Sequence, residues 1–408
     1  MRVPEGWRET TLASIAEHVT KKWEPVDGGE HSYLGLEHLE QGTGRILKTN
    51  GSDDLSSLKT KFQAGDVLFG KLRPNLRKTA HPKFDGICST DIIAVRAKPF
   101  IDPAYLFYTL NRSDTFNHAI KSAAGTKMPR TSWKLMGEFR FCLPPLPEQR
   151  RIAEILSSVD EAIAATQALI EQTRVVKQGA LKRLLTKGIG HTRFKQTEIG
   201  ELPEGWEALT LQDLCAKITD GSHQTVKTTD SGVPFLYVSC IRDGQIVWEK
   251  AGAVDPAIYK TISKGREARK GCVLYTAVGS YGHAVALDKD YDLSFQRHIA
   301  YLKPIKERLL PEYLSEFLNS EIGRRYADSV AVGNAQKTVT LKKIKEQILA
   351  VPPISEQVSF INKLSHFNES IRLGEKKNAL LRTTKAALLS ALLTGRKRVS
   401  FAEETAAE

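Results

Sequence analysis

The densest run of groups able to hold a polyanion is Lys71-Leu72-Arg73-Pro74-Asn75-Leu76-Arg77-Lys78, where four cations and an amide fall within eight residues. Arg and Lys suit phosphates and guanine, and an amide or hydroxyl can hydrogen-bond a base edge. Gly125-Thr126-Lys127-Met128-Pro129-Arg130-Thr131-Ser132 and Gly333-Asn334-Ala335-Gln336-Lys337-Thr338 are polar loops of the same kind, and Asp220-Gly221-Ser222-His223-Gln224-Thr225 is a further polar turn. The candidate DNA contacts are therefore Lys71, Arg73, Asn75, Arg77, Lys78, Lys127, Arg130, Ser222, His223, Gln224, Asn334, Gln336 and Lys337. Lys71, Arg73, Arg77 and Lys78 follow an expected strand and are assigned mainly to the phosphate backbone. Lys127 and Arg130 sit among hydroxyls before an expected helix, which suits a mixed role with base readout. Taken singly, each loop is an ordinary solvated turn; their paired occurrence favours nucleic acid.

Catalytic patterns fail on inspection. Gly65-Asp66-Val67-Leu68-Phe69-Gly70-Lys71 fits G-x-x-x-x-G-K, but Leu72 stands where a phosphate loop needs Ser or Thr for Mg²⁺. Its intervening residues read as a strand. The Pro-Pro pairs follow Leu143 and Val351, so an amine-methylase tetrad of Asp or Asn, two prolines and an aromatic is missing. No dinucleotide-type glycine loop, H-E-x-x-H or G-x-S-x-G is present. The expectation is a chain without catalytic residues, metal or cofactor of its own.

Composition agrees with a polyanionic partner. Lys and Arg number 59 against 47 Asp and Glu, for a net charge of +12 and a pI near 9.3. Hydrophobic residues at 41% and charged ones at 26% suit an ordinary globular chain with room for more than one core. The opening residues lack the apolar run of a secretory signal, and no apolar run is long enough to span a bilayer. Cys88, Cys142, Cys215, Cys240 and Cys272 are scattered and odd in number, which argues against a disulfide framework and fits a reducing cytoplasm. No membrane partner is expected.

The elements that must carry these loops occur twice. Pro4-Glu5-Gly6-Trp7 recurs as Pro203-Glu204-Gly205-Trp206, and Gly65-Asp66-Val67-Leu68-Phe69 recurs more weakly as Gly271-Cys272-Val273-Leu274-Tyr275. Leu143-Pro144-Pro145-Leu146-Pro147-Glu148-Gln149 recurs as Val351-Pro352-Pro353-Ile354-Ser355-Glu356-Gln357, and Leu184-Leu185-Thr186 as Leu392-Leu393-Thr394. The order is kept at an offset of about 200 residues, which indicates two copies of one unit. Each copy opens with short β-type runs such as Ile92-Ile93-Ala94-Val95 and Phe235-Leu236-Tyr237-Val238, with short helices expected over 104–110 and 311–318.

Each copy then closes with a long helix. Ile152, Leu156, Val159, Ile163, Thr166, Ile170, Thr173, Lys177, Ala180 and Leu184 alternate spacings of four and three, and Phe360, Leu364, Phe367, Ile371, Gly374, Asn378, Leu381, Lys385, Leu388 and Leu392 keep the same register. Pro-Pro pairs precede both helices and Gly188 and Gly395 follow them. Helices of ~60 Å with one apolar seam bury it most simply against each other, antiparallel. The organisation expected is α+β. Two mixed α/β domains at 1–145 and 189–351, the latter led by a linker over 189–201, are joined by spacer helices at 146–188 and 352–395. A flexible tail follows at 396–408. Asn378, polar on the seam, is expected to fix register.

These motifs, over essentially the whole chain, resemble the specificity (S) subunit of type I restriction-modification enzymes. The most telling of them is the twice-occurring Leu-Pro-Pro-x-x-Glu-Gln type segment leading into a long helix. The resemblance implies two target recognition domains, each reading one half of an asymmetric bipartite site in double-stranded DNA. It also implies antiparallel helices that set the spacer and dock two methylase (M) subunits, and motor-nuclease (R) subunits in the full complex. S-adenosylmethionine would be bound by the methylase and not by this chain. The alternatives are a self-contained DNA methylase or nuclease, and a helical scaffold that binds no DNA.

Overall fold

A computed structural model describes residues 3–27, 30–53, 55–223, 226–334 and 336–400. Its contacts divide the chain into one unit of residues 1–167 and 376–408 and another of residues 168–375. The long helices, Leu146–Lys187 and Ile354–Leu392, each contribute one part to each unit.

In the first unit Arg8–Thr11 pairs antiparallel with Arg140–Leu143, which brings the two ends of the globular part together. Between them, a four-stranded antiparallel sheet runs in the order Ala16–His18, Ile92–Ala97, Val67–Gly70, Thr79–Ala80. A second sheet runs Lys22–Trp23, Lys59–Phe62, Gly86–Cys88, Tyr33–Leu34, its last pair parallel. The helix Pro103–Leu110 starts with proline, where the missing N–H costs nothing, and its Asp102 cap accepts from the Tyr105 N–H at 2.8 Å.

The second unit repeats the plan. Glu207–Thr210 pairs with Ile348–Val351, and a four-stranded sheet runs Cys215–Asp220, Ile299–Pro304, Val273–Thr276, Ala284–Ala286. Its smaller sheet holds Gly252–Val254, Val233–Leu236 and Ser294–Phe295. The linker 189–201 is not plain coil: Phe194–Thr197 and Gly200–Pro203 form a hairpin.

The seam residues behave as their spacing requires. Ile152, Leu156, Thr166, Ile170, Phe360, Leu364, Asn378 and Leu392 are buried, and Val159, Ile163, Leu184, Ile371 and Leu388 are half-buried. In the first unit Ile152 and Leu156 join one core with Leu392 and Leu393, and in the second Leu181 and Leu185 join one with Phe360 and Leu364. Chain direction is therefore antiparallel within each unit. Gly188 and Gly395 both adopt left-handed φ, +64° and +70°, and so close their helices.

The tail expected from residue 396 is a correction. Its first part is held, because Arg398 places Nε and Nη2 on the Glu148 carboxylate at 2.7 and 2.9 Å. Residues 401–408 lie outside the described residues.

Candidate nucleic-acid interface

In the first unit two basic loops converge. Strand Val67–Gly70 delivers Lys71, whose carbonyl accepts from the Thr131 N–H at 3.1 Å, and Leu72 bridges to Arg130. The Arg73 N–H donates to Pro129 O at 2.7 Å and its Nη2 to Lys127 O at 3.4 Å. Lys71, Arg73, Asn75, Lys127 and Arg130 thus share one surface, with Arg73, Asn75, Lys127 and Arg130 exposed. Arg73 and Arg77 bracket the short turn Pro74–Leu76 with φ of 49° and 48°, a strained conformation for branched-free but bulky side chains. Arg130 is bound through Nε and Nη2 to Asp91 at 2.8 and 3.3 Å, which orients its guanidinium. Nearby His18 has its pKa pushed below the usual value by burial and then by Lys22 and Lys71.

Arg77 and Lys78 are placed differently from their neighbours. Arg77 lies over the Phe116 ring at 5.7 Å, and the Lys78 ammonium donates to Leu36 O at 2.6 Å. Both are half-buried. Their charge is turned to fastening the loop onto the domain.

The second unit builds the same pair of loops with other residues. Val278 bridges to Thr338, as Leu72 does to Arg130, and the Gly279 N–H donates to Lys337 O at 2.8 Å. Asn334, Gln336 and Lys337 are exposed beside it. The partner loop Val278-Gly279-Ser280-Tyr281-Gly282-His283 carries no Lys or Arg, which is why reasoning from charge density passed over it. Alignment of the strands before it, Val67–Gly70 with Val273–Thr276, would have found it. Cations arrive from elsewhere: Arg242 donates to Ser280 Oγ at 2.6 Å and contacts His283. Arg324 reaches His283 Nδ1 at 2.8 Å and Asp243 at 3.2 Å. Arg242, Asp243, His283 and Arg324 line a cavity of about 710 Å³ together with Arg174, Lys177 and Glu316.

The other second-unit candidates sit on a different turn. Ser222 is buried, its N–H donating to Phe295 O at 3.2 Å, while exposed His223 places Nε2 2.7 Å from Asp220 Oδ2. Gln224 lies outside the described residues.

The duplicated motifs that carry no Lys or Arg turn out to be fasteners. Trp7 donates Nε1–H to Glu148 at 2.8 Å, and Trp206 donates to Glu356 at 2.9 Å. Gln149 accepts from the Asp102 N–H and donates to Pro144 O, at 3.1 and 3.0 Å. Gln357 accepts from Leu310 N–H and donates to Pro352 O, both at 2.8 Å. Each Glu thus ties the start of its own globular part to the head of its helix, and each Gln ties in the residue capping Pro103–Leu110 or Pro311–Asn319.

The G-x-x-x-x-G-K stretch is a strand with Asp66 buried under a two-bond ion pair from Arg96, both at 2.7 Å. Among the described residues no group of three or more His, Cys, Asp or Glu is placed to hold a metal ion, and no helix is long and apolar enough to cross a membrane.

Comparison with known proteins places this geometry in a family. The type I restriction modification DNA specificity domain matches residues 4–173 and again 203–383, and the chain belongs to that family, carrying the domain twice. It is 25% identical over 420 residues to the type I restriction enzyme MjaVIII specificity subunit of Methanocaldococcus jannaschii, covering 98% of this chain and 95% of that one. Against the EcoDI specificity subunit of Escherichia coli identity is 29% over 210 residues, 50% of this chain and 44% of that one.

Two solved structures share the fold. One, from work on complex assembly and conformational transition of the type I R-M system, gives a TM-score of 0.59 at 21% identity, covering 97% of this chain and all 100% of that one. The type I restriction-modification S subunit from M. genitalium gives 0.58 at 14%, covering 96% and 98%.

Proposed function

We propose that this chain is the DNA-specificity subunit of a type I restriction-modification complex. Each unit reads one half of an asymmetric bipartite site through its paired loops. The observation that carries this reading is the recurrence of one loop pair on matching strands, bridged at Leu72–Arg130 and at Val278–Thr338, with unlike side chains on the same frame. A shared frame with divergent contacts suits reading two different half-sites.

The chain supplies sequence choice and no chemistry. Two methylase subunits bring S-adenosylmethionine, motor-nuclease subunits complete the assembly, and the helix pair sets the unread spacer. Function is cytoplasmic, where the DNA is.

The test is domain exchange. Replacing residues 200–351 with those of another family member that has an acid in the place of Glu316, in the assembled methylase complex, changes one half of the methylated site and leaves the other. A change in both halves overturns the reading. Purified chain alone neither binds S-adenosylmethionine nor methylates DNA; cofactor heat in a titration of the lone chain overturns the non-catalytic assignment.

A further inference from the structure

The offset that carries Glu148 to Glu356 also carries Tyr108 to Glu316, Asp160 to Asn368 and Lys177 to Lys385. The last three of these positions form a polar layer in each unit where the globular part meets its helices, and the layer is written in two ways. In the first unit the acid is on a long helix. Asp160 accepts from Tyr108 Oη at 2.9 Å and from Lys385 Nζ at 2.6 Å. In the second the acid is on the globular part. Glu316 accepts from Lys177 Nζ at 3.0 Å and from Asn368 Nδ2 at 2.8 Å. The lysine is equivalent in both and largely buried, at 15% side-chain exposure each time, so it needs a carboxylate.

We infer that this layer is a docking key that makes each globular part fit only its own helix segments. A part carrying Glu316 set on Asp160 and Lys385 brings two carboxylates to one ammonium. A part carrying Tyr108 set on Asn368 and Lys177 leaves a lysine with no carboxylate. The partner that the surface selects is a globular part of this fold, exchanged from another chain or a second copy. The neighbouring Glu148–Trp7 and Glu356–Trp206 contacts are identical in chemistry and cannot discriminate. This inference does not depend on which DNA is read.

The experiment uses the full chain and reads hydrogen exchange of the amides in Pro103–Leu110, which reports opening of that interface. Tyr108→Glu accelerates exchange by roughly tenfold or more, and adding Asp160→Asn, which rewrites the layer in the second unit's form, brings it back to within about threefold of the parent. In the second unit Glu316→Tyr accelerates exchange in Pro311–Asn319, and Asn368→Asp restores it. If the double variants show the product of the single effects, the key is wrong. Rescue that persists with Lys385→Met also overturns it, since the lysine is then not what the acid serves. Should Tyr108→Glu fail to fold, folding of its double variant supports the key, and the second-unit pair supplies the exchange measurement.

Discussion

The Trp7 indole N–H lies 2.8 Å from the Glu148 carboxylate, joining the repeated tetrad that opens the copy to the head of its long helix across 141 residues of sequence. Glu148 is fully buried, and Arg398 supplies its countercharge from beyond the end of the other long helix. Trp206, Glu356 and His191 repeat the arrangement, with His191 Nε2 3.0 Å from the carboxylate. The helix-ending glycines belong to the same contact. A Cβ on Gly395 would lie 2.5 Å from Pro4 Cγ, and one on Gly188 2.8 Å from Trp206 Cζ2. Three repeated motifs therefore meet at one point in each unit.

Removing the indole donor while leaving the carboxylate paired gives the first prediction. Trp7→Phe lowers stability by about 2 kcal/mol, the range for a hydrogen bond to a charged group. Arg398→Ala costs more than its surface exposure suggests, about 3 kcal/mol, because it strands a buried charge. Denaturant melts of the two variants and the parent order them in that way; equal costs would show that Arg398 is not the countercharge.

His81 sets a pH dependence. It stacks on Phe107 at 5.6 Å, and burial, followed by the charge of Lys83, pushes its pKa down from 6.5 to about 4. A depressed histidine is neutral in the fold while the unfolded chain still takes up a proton. Stability is therefore full above pH 6.5 and falls as pH drops towards 4, by at most roughly 3 kcal/mol. His81→Phe flattens that limb of the curve in urea melts between pH 7 and 4.

Asn378 is buried on the seam, with Nδ2 3.4 Å from Ile163 O and 3.2 Å from Gln167 Oε1, while its Oδ1 accepts from Arg382. A polar seam residue selects register at some cost in stability. Asn378→Leu raises the melting midpoint by the equivalent of about 1 kcal/mol and broadens the distance distribution between spin labels at exposed Arg151 and Arg396. A midpoint unchanged or lowered, with an unchanged distribution, removes its register role.

The helix pair was legible because its signal is periodic and local: ten seam positions in each helix keep spacing whatever the domains do. The Trp–Glu fasteners were visible only as repetition, since the contact they make is long-range. Charge density singled out Lys71, Arg73 and Lys127 in two separate loops; that the fold brings those loops together follows from long-range backbone contacts such as Arg73 N–H to Pro129 O, which spacing does not show. It could not show that Lys78 donates to Leu36 O, because a cation's density in sequence says nothing of the carbonyl beside it in the fold. It passed over Val278–His283 altogether, where the cations Arg242 and Arg324 arrive from other elements.

That difference within one basic run yields the last prediction. Arg73 and Lys127 are exposed on the converged loops, whereas Lys78 is spent on Leu36 O. A phosphate contact strengthens binding to every sequence, because neutralising it releases counterions, and each contact contributes roughly one unit to the salt slope. Arg73→Ala and Lys127→Ala in the assembled complex should each weaken target and scrambled duplex alike and flatten the slope by about that amount. Arg130 is pre-oriented by Asp91 and suited to a base edge, where a bidentate contact discriminates by about 1–3 kcal/mol. Arg130→Ala should therefore narrow the gap between target and non-target in the first half-site only, and Gln336→Ala in the second. Lys78→Ala should lower the melting temperature and leave the salt slope as it is. A salt titration of each variant on both duplexes separates these outcomes. A flattened slope for Lys78→Ala with an unchanged one for Arg73→Ala would reverse the assignment of the loop.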